Sequence, residues 1–362
     1  MTPQRHGAVL ALAATSALLV SACGASNESP NPGGENLSGT ISGAGASSQA
    51  AAMQAWIAGF NGVAPDVTVN YDPVGSGGGR EQFIAGGTAF AGTDAYLDEE
   101  ELPLAQQRCG GDIVEVPLYI SPIAIVYNLE GVDNLNLRPA TIAGIFAQKI
   151  TNWNDPAIAA DNPGATLPNL RITPVNRSDE SGTTENFTEY LKAAAAQVWT
   201  FEASGDWPVP GGAAAQGTSG VVGAVQAGNG TIGYADASQA GDLGVAGVGV
   251  GSDFVKPTAE AASAVVQAST RVEGRGEHSF AYDLARDTTQ SGAYPVVLVS
   301  YNLACGTYSN AADGNLVKAL FTYIASRQGQ EAAAQNAGSA PISDALRTQL
   351  QPAIDAIGTA GS

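Results

Sequence analysis

The sequence predicts an α/β fold in two domains that are joined by two crossing strands. Strand-like segments, small-residue loops and helix-like segments follow one another along the chain, which is the order typical of α/β proteins. Two apolar, β-branched runs, at residues 113–128 and 295–301, predict buried strands that pass from one domain to the other and back. With 362 residues and 44% hydrophobic content, the chain is long enough for two domains.

The first third of the chain repeats one unit three times: a strand, a loop of small residues and a helix. Alternating side chains predict the strands, and apolar residues at three- to four-residue spacing predict the helices. The third strand ends at Asp94, and open α/β sheets place their ligand sites at the carboxyl ends of strands. The units comprise 37–41, 42–48 and a helix from Met53 to Phe60; 67–71, 74–79 and 80–85; and 89–92, Thr93-Asp94 and 97–104.

The same alternation continues in the rest of the chain. Trp153 is predicted to lie in the core, and a middle segment at 235–285 is predicted to be helical. The further elements are a helix at 139–146, a strand at 172–175, a helix from about residue 184, a helix at 217–227, a strand at 230–234 and a helix at 316–328.

The N-terminus has the pattern of an export signal. Residues 1–22 carry Arg5, then an apolar segment at 8–20 and small residues before Cys23. A cysteine at the first mature position resembles the lipobox of bacterial lipoproteins and predicts a lipid anchor on Cys23. The alternative is an ordinary cleaved signal with an incidental cysteine. Residues 23–37 have almost nothing to bury, which predicts a flexible tether.

Two further cysteines, Cys109 and Cys305, are predicted to form a disulfide, because an exported protein folds in an oxidising compartment. The alternative is two buried free thiols. A disulfide between residues so far apart in sequence would bring the two ends of the folded chain together.

The formal net charge of −19 argues against nucleic acid and against a polybasic membrane patch. It does not exclude an anionic ligand. Surface charges are screened over about 8–10 Å, whereas a site lined by N–H groups and an arginine acts at hydrogen-bonding distance.

Residues 177–184 read Arg-Ser-Asp-Glu-Ser-Gly-Thr-Thr and precede an apolar helix. A helix start capped by Ser181 or Thr183 offers unpaired N–H groups and a partial positive charge, and Arg177 adds a two-pronged donor. The alternative is a plain capped helix whose Arg177 and Asp179 form a surface ion pair. Together with the two earlier loops and Asp94, the stretch predicts a site for a tetrahedral oxyanion.

Other kinds of site fit less well. Neither nucleotide-binding glycine pattern stands where a predicted strand leads into a helix. A serine hydrolase is the enzymatic alternative, since Ser76 lies on a strand-to-helix turn, but Gly-x-Ser-x-Gly is not met. His278 is the one histidine after the signal segment, so a catalytic triad depends on it, and it is predicted to be a solvated loop residue. Cysteine, histidine and aspartate spacing indicates no zinc or calcium site, and no metal or cofactor is implied.

The chain resembles the phosphate-binding lipoproteins and periplasmic proteins of the high-affinity phosphate ABC transporter over nearly all of its mature length. The family motifs stand here, in order, at residues 43–48 (GAGASS), 75–78 (GSGG), 90–94 (FAGTD) and 177–184 (RSDESGTT). The resemblance implies a two-domain periplasmic-binding-protein fold of type II-like topology with the ligand in the interdomain cleft. Domain 1 is then 38–117 with 300–362, and domain 2 is 118–299.

The resemblance also implies the ligand set. Ser47 and Ser76 supply a hydroxyl and an N–H, Ser48 a backbone N–H, and Asp94 accepts the proton of phosphate. Many relatives carry phenylalanine at the position of Ser48, so only its backbone role is transferred. The second domain contributes Arg177, Ser181, Gly182 and Thr183, and Asp179 supports Arg177.

Asp94 predicts selectivity on physical grounds as well. A carboxylate repels an oxyanion 4 Å away by about 1–4 kcal/mol for effective dielectric constants of 80 to 20. Hydrogen phosphate and dihydrogen phosphate bring a proton to this contact, whereas sulfate leaves two acceptors facing each other. The sequence therefore predicts that sulfate is rejected.

The resulting interpretation is a monomeric protein, lipid-anchored through Cys23 on the extracytoplasmic face of the cell membrane. It captures inorganic phosphate and delivers it to the transmembrane permease subunits of an ABC transporter, with no bond made or broken. The alternatives are a secreted serine hydrolase or phosphatase that uses Ser76 or Ser181, and a surface adhesin or phosphate sensor on the same scaffold.

Overall fold

The computed structural model describes residues 37–359. Its strands are β1 (Gly39–Gly45), β2 (Val67–Asp72), β3 (Phe90–Thr93), β4 (Ile113–Asn128), β5 (Asn136–Leu137), β6 (Thr173–Arg177), β7 (Ala213–Ala215), β8 (Thr231–Asp236), β9 (Gly244–Val245), β10 (Gly247–Val250), β11 (Asp253–Val255), β12 (Thr270–Arg271), β13 (Tyr282–Asp283), β14 (Val297–Cys305), β15 (Thr307–Tyr308) and β16 (Gly358–Thr359). Its helices are α1 (Ala50–Val63), α2 (Ser76–Ile84), α3 (Glu101–Arg108), α4 (Pro139–Phe146), α5 (Pro156–Asp161), α6 (Gly182–Ala195), α7 (Gly217–Gln226), α8 (Ala259–Gln267), α9 (Ala311–Ala325), α10 (Arg327–Ala337) and α11 (Asp344–Asp355).

One curled sheet runs through the molecule in the order β2-β1-β3-β14-β4-β8-β6-β7, with β9 also paired to β4. The strands at each end are parallel to their neighbours, whereas β14 and β4 run antiparallel in the middle. We call β1–β3 with α1–α3 the first lobe, and β6–β8 with α4, α6 and α7 the second lobe. The predicted α/β fold with two crossing strands is confirmed by this arrangement.

Strand β4 changes partner halfway along its length. Residues 113–122 pair with β14, and residues 123–128 pair with β8. Its two prolines sit where the pairing is irregular: a bulge opposite Ser300 and Tyr301 accommodates Pro117, and Pro122 lies where the partner changes. Proline has no N–H for the ladder, so such places tolerate it. The long apolar run is therefore one continuous strand shared by both lobes.

The second-lobe helix α6 packs over a cluster of aromatic rings. Tyr234 of β8 stacks on Phe187 at a centroid distance of 4.4 Å, and Phe146 meets Phe187 edge-on at 4.9 Å. Trp207 closes the cluster at 5.7 Å from Tyr234. Aromatic pairs of this kind stabilise by about 0.5–1.5 kcal/mol beyond their buried area. They fix the start of α6, and with it the loop after β6.

Several predicted elements differ in extent or type. Helix α2 begins at Ser76 rather than at residue 80, because its contacts with β1 and β3 outweigh the low helix propensity of the glycines in its first turn. The prediction of helices throughout 235–285 is wrong. That segment holds β9–β13 and one α-helix, α8, because its alternating glycines and valines fit short strands better. Trp153 is fully buried, as predicted.

The disulfide between Cys109 and Cys305 is present and joins the end of α3 to the end of β14. It spans 196 residues, for which the chain-entropy model gives about 5 kcal/mol of stabilisation.

The predicted signal peptide, Cys23 and the tether up to residue 36 lie outside the described residues. Among the helices that are described, none combines the length and apolar character needed to cross a membrane.

Candidate anion-binding site

Within residues 37–359, four helices begin around one point between the lobes. Helix α1 follows Ser47 and Ser48, α2 starts at Ser76, α6 starts at Gly182, and α7 starts at Gly217. Contacts described below join these four starts to one another. Helix N-termini carry unpaired N–H groups and about half a positive charge, so their convergence favours an anion.

The first-lobe wall is organised by the carboxylate of Asp94, which is 2% exposed. The Ser48 hydroxyl donates to Oδ1 and Oδ2 at 2.7 and 2.8 Å, and Thr183 of the second lobe donates to Oδ2 at 2.8 Å. The backbone N–H of Asp94 donates to the Ser76 hydroxyl at 3.1 Å. A carboxylate has about four lone-pair positions, so these bonds leave room for a further donor.

Burial raises the pKa of Asp94 above its usual range, while the hydrogen bonds from Ser48 and Thr183 and the charge of Arg177 act in the opposite direction. The hydrogen bonds from these hydroxyl groups stabilise the ionised form of Asp94, but they do not cancel the rise in its pKa that burial causes. In this form, Asp94 can only accept hydrogen bonds.

The second-lobe wall is organised by Arg177 at the end of β6. Its Nε donates to Oδ1 of Asp179 at 2.8 Å, and its Nη2 donates to Oδ2 of the same carboxylate. The backbone N–H of Gly217, the first residue of α7, adds a third donor to Asp179 at 3.1 Å. Burial alone would raise the pKa of Asp179, but the bonds from Arg177 outweigh it and hold the pKa below its usual range. Asp179 therefore holds the guanidinium of Arg177 in place through two charge-assisted hydrogen bonds.

Nη1 of Arg177 takes part in none of the hydrogen bonds found among residues 37–359. A guanidinium has five N–H donors, so the contacts with Asp179 leave several for a ligand. The arginine side chain is only 2% exposed, so an acceptor that reaches these donors would bond to them in a site largely shielded from water.

The helix start at Ser181–Thr183 closes the site. Ser181 is the N-cap of α6, as predicted, and its hydroxyl accepts the N–H of Thr184 at 3.2 Å. A Cβ on Gly182 would lie 2.7 Å from both Cβ of Asp94 and Oγ of Ser76, so only glycine allows this approach of the lobes. Seven of the eight predicted ligand residues, together with Asp179, therefore lie on these two facing walls. The eighth, Ser47, is joined to the start of α7.

The hydroxyl groups in this network fall into two classes. The hydroxyls of Ser48 and Thr183 donate hydrogen bonds to Asp94. Ser76 and Ser181 instead accept a backbone N–H, which leaves their own protons free for a ligand. The first class fixes the carboxylate, and the second class offers donors.

Thr218 and Gln239 belong to the site but were not predicted. The N–H of Thr218 donates to the Ser47 hydroxyl at 3.1 Å, and the two side-chain oxygens lie 3.0 Å apart. The Gln239 amide donates to the carbonyls of Ser47 and Ser48 at 2.9 and 3.2 Å. The Gly-Thr-Ser start of α7 repeats the small-residue pattern of the other loops and could have revealed Thr218. No local pattern marks Gln239.

Asn186, inside α6, was also missed. Its amide donates to the carbonyl oxygens of Asp94 at 2.6 Å and of Gly182 at 2.8 Å, so it ties the two walls together. Arg286 donates in turn to the side-chain oxygen of Asn186 and, at 2.9 Å, to the carbonyl of Val297 on β14. The partner that orients Asn186 lies 100 residues away in sequence.

The contacts of His278 do not form a triad with the serines of the site. Its Nδ1 lies 2.9 Å from Asp112, and its side chain is 18% exposed, so it is a partly buried, paired residue rather than a solvated one. Among the described residues, no group of three or more histidine, cysteine, aspartate or glutamate side chains is arranged to hold a metal ion.

Comparison with known proteins gives the family from sequence and a matching fold from structure. Residues 30–328 match the model of a PBP superfamily domain. The phosphate-binding protein PstS3 of Mycobacterium bovis BCG is 36% identical over 379 aligned positions, which cover 99% of this chain and all of the relative. The phosphate-binding protein PstS of Xylella fastidiosa is 32% identical and covers 77% of the chain and 75% of its own length.

Among solved structures, the chain resembles a high-affinity periplasmic phosphate-binding protein, PfluDING, bound with phosphate. The TM-score is 0.71 at 24% identity, and the match covers 87% of this chain and 93% of that one. A substrate-binding protein of Clostridium perfringens with bound phosphate gives a TM-score of 0.60 at 19% identity, with 83% and 98% coverage. These likenesses establish the two-domain fold. The family-model match and the full-length sequence relatives show that the chain belongs to the PBP superfamily and, within it, to the PstS family of phosphate-binding proteins.

Proposed function

We propose that this protein binds inorganic phosphate between its two lobes and delivers it to an ABC-type phosphate permease. One observation carries the proposal: four helix starts, an arginine with unused donors and two hydroxyls with free protons surround the buried carboxylate of Asp94. Such a site offers a tetrahedral anion many donors and one acceptor, which is the pattern that a partly protonated phosphate requires.

In the proposed complex the donors come from both lobes. Ser47 and Ser76 contribute hydroxyls and N–H groups and Ser48 its N–H from the first lobe. Arg177, Ser181, Gly182 and Thr183 contribute from the second lobe, and Asp179 keeps Arg177 oriented. Asp94 accepts the proton that phosphate carries, so phosphate is accepted and sulfate is not.

We propose the same cellular setting that the sequence predicts. The N-terminal segment exports the protein, a lipid on Cys23 holds it as a monomer outside the cytoplasm, and residues 23–37 tether it within reach of the permease. The proposed domain boundaries are 38–117 with 300–362, and 118–299. Replacing Cys23 with serine should release the protein from the membrane fraction, and continued membrane association would contradict the anchor.

The proposed role involves no catalysis. Membership of a family of binding proteins supports this, and so does the pairing of His278 with Asp112 rather than with a serine of the site. Sustained turnover of a phosphate ester by the purified protein, lost in Ser76→Ala or Ser181→Ala, would favour the hydrolase alternative. Unchanged phosphate uptake in a strain that lacks the gene would favour an adhesin or sensor.

Calorimetric titration with inorganic phosphate tests the function directly, after bound phosphate has been removed by unfolding, dialysis and refolding. We expect one site per chain and a dissociation constant in the micromolar range or below. Ser181→Ala should weaken binding, whereas Ser178→Ala, an exposed serine in the same loop, is the matched control and should not. Absence of binding at millimolar phosphate would contradict the proposal.

A further inference from the structure

A second charge pair links the lobes beside the candidate site. Arg80 lies on α2 of the first lobe, and Glu180 lies in the β6–α6 loop of the second lobe. Nη2 of Arg80 donates to Oε1 of Glu180 at 3.2 Å. Neither the ligand set nor the support of Arg177 by Asp179 uses this pair.

Arg80 is held in position by its own lobe. Its Nε donates to Glu101 at 2.7 Å, and its Nη1 donates to the Thr93 hydroxyl at 3.0 Å. Its side chain is only 9% exposed. Burial lowers the pKa of Arg80, but the carboxylates of Glu180 and Glu101 outweigh this and raise it, so the guanidinium stays charged. The arginine is therefore preorganised to meet a carboxylate from the opposite lobe.

Two glycines leave space for the carboxylate of Glu180. A Cβ on Gly77, in the first turn of α2, would overlap Oε2 of Glu180, and a Cβ on Gly205 would overlap Oε1. Oε2 is buried and has no hydrogen-bond partner among the described residues. Burial raises the pKa of Glu180, and the charge and hydrogen bond of Arg80 act in the opposite direction. A side chain at position 77 would exclude Glu180 from this place.

The pair and the closed site share one geometry. Glu180 stands directly between Asp179, which holds Arg177, and Ser181, which caps α6. Two residues further, Gly182 lies against Asp94 and Ser76 of the first lobe. Withdrawing this loop from the first lobe would break the Arg80 contact and open the site in the same movement.

We propose that Arg80 and Glu180 form a latch across the cleft that holds the lobes together over the bound anion and sets its rate of release. The inference rests on the proposed binding of phosphate and adds residues that are not ligands. In this proposal the pair forms once the anion has entered, so its loss should change dissociation and leave association unchanged. Arg80 and Glu180 are thus positioning residues that act through closure.

Chase experiments with radiolabelled phosphate on the full mature protein test the latch. Glu180→Gln keeps the side-chain shape and removes the charge, and we expect dissociation to be about tenfold faster with the association rate within about twofold of wild type. Glu101→Gln is the matched control, because it removes a carboxylate from the same arginine within the first lobe. It should lower thermal stability as much or more and leave the dissociation rate within about twofold of wild type.

The outcomes separate the latch from the function. If wild-type protein binds phosphate and Glu180→Gln releases it at the wild-type rate, the latch is wrong and the proposed function stands. Equal acceleration in Glu101→Gln also overturns the latch, because the effect would then come from a misplaced Arg80. If the wild-type protein binds no phosphate, the proposed function fails and the latch fails with it.

Discussion

The two walls of the site are built around opposite charges. The first-lobe wall centres on the carboxylate of Asp94, which is fixed by hydroxyls and faces inward as an acceptor. The second-lobe wall centres on the guanidinium of Arg177, which is fixed by a carboxylate and faces inward as a donor. In the proposed complex, attraction and selection are therefore separated: the second lobe would attract any oxyanion, and the first lobe would accept only one that brings a proton.

Removing the guanidinium of Arg177 should cause the largest loss of phosphate affinity. Arg177→Ala takes away the charged donors and leaves Asp179 without its partner, so phosphate affinity should fall by about 100-fold or more. Titration calorimetry measures it. Arg171→Ala, an exposed arginine just before β6, is the control and should bind like wild type. An Arg177→Ala protein that is folded and binds phosphate within threefold of wild type would contradict the assignment of attraction to this wall.

The next largest effect on phosphate affinity should distinguish the two classes of hydroxyl group. Ser76→Ala removes a proton donor that faces the ligand, and we expect about a tenfold loss of phosphate affinity. Ser48→Ala removes a bond to Asp94 instead, so its loss of phosphate affinity should be smaller, about two- to threefold. Because that bond favours the ionised form, the pKa of Asp94 should rise further in Ser48→Ala. Equal losses of affinity in both variants would remove the distinction between the classes.

Glu185, in the first turn of α6, should affect stability rather than phosphate affinity. Burial, Glu189, Glu180 and Glu101 outweigh Arg80 and raise the pKa of Glu185 from 4.5 to about 7. Between these values the folded state keeps a proton that the unfolded state has lost, so the free energy of unfolding falls as pH rises. Glu185→Gln should be as stable as wild type near pH 4.5 and more stable by about 1–3 kcal/mol at pH 8 in urea denaturation. A constant difference across this range would show that Glu185 does not titrate there.

Local sequence patterns predicted the parts of both walls that depend on neighbouring residues. The Ser181 cap, the pairing of Arg177 with Asp179 and the strand end at Asp94 are each encoded within a few residues. The crossing strands and the disulfide followed from composition and compartment. These features need no knowledge of how the chain folds back on itself.

The remaining parts depend on residues that are distant in sequence. Asn186 lies at an interior helix position and acquires its role through Arg286, and Arg80 acquires its role through Glu180. Helix α2 starts earlier than propensity indicates because tertiary contacts stabilise its glycine turn. Periodicity gives which face of an element is buried, but it does not give which side chain from elsewhere meets it.

Selection by Asp94 also has a predicted pH dependence. In its proposed role, ionised Asp94 can only accept hydrogen bonds and would reject sulfate, whereas protonated Asp94 could donate one and would tolerate sulfate. Burial raises the pKa of Asp94, so discrimination should be complete well above that pKa and should weaken as the pH falls through it. The same loss of discrimination between phosphate and sulfate should occur at neutral pH in Asp94→Asn, because the asparagine amide can donate a hydrogen bond.

The ratio of phosphate to sulfate affinity at neutral pH, measured by competition calorimetry in wild type and Asp94→Asn, tests the division between the walls most directly. We predict that wild-type protein prefers phosphate by about 100-fold or more, and that the ratio falls at least about tenfold in the variant. Wild-type protein that binds both anions equally, or a variant that keeps the full ratio, would contradict the account.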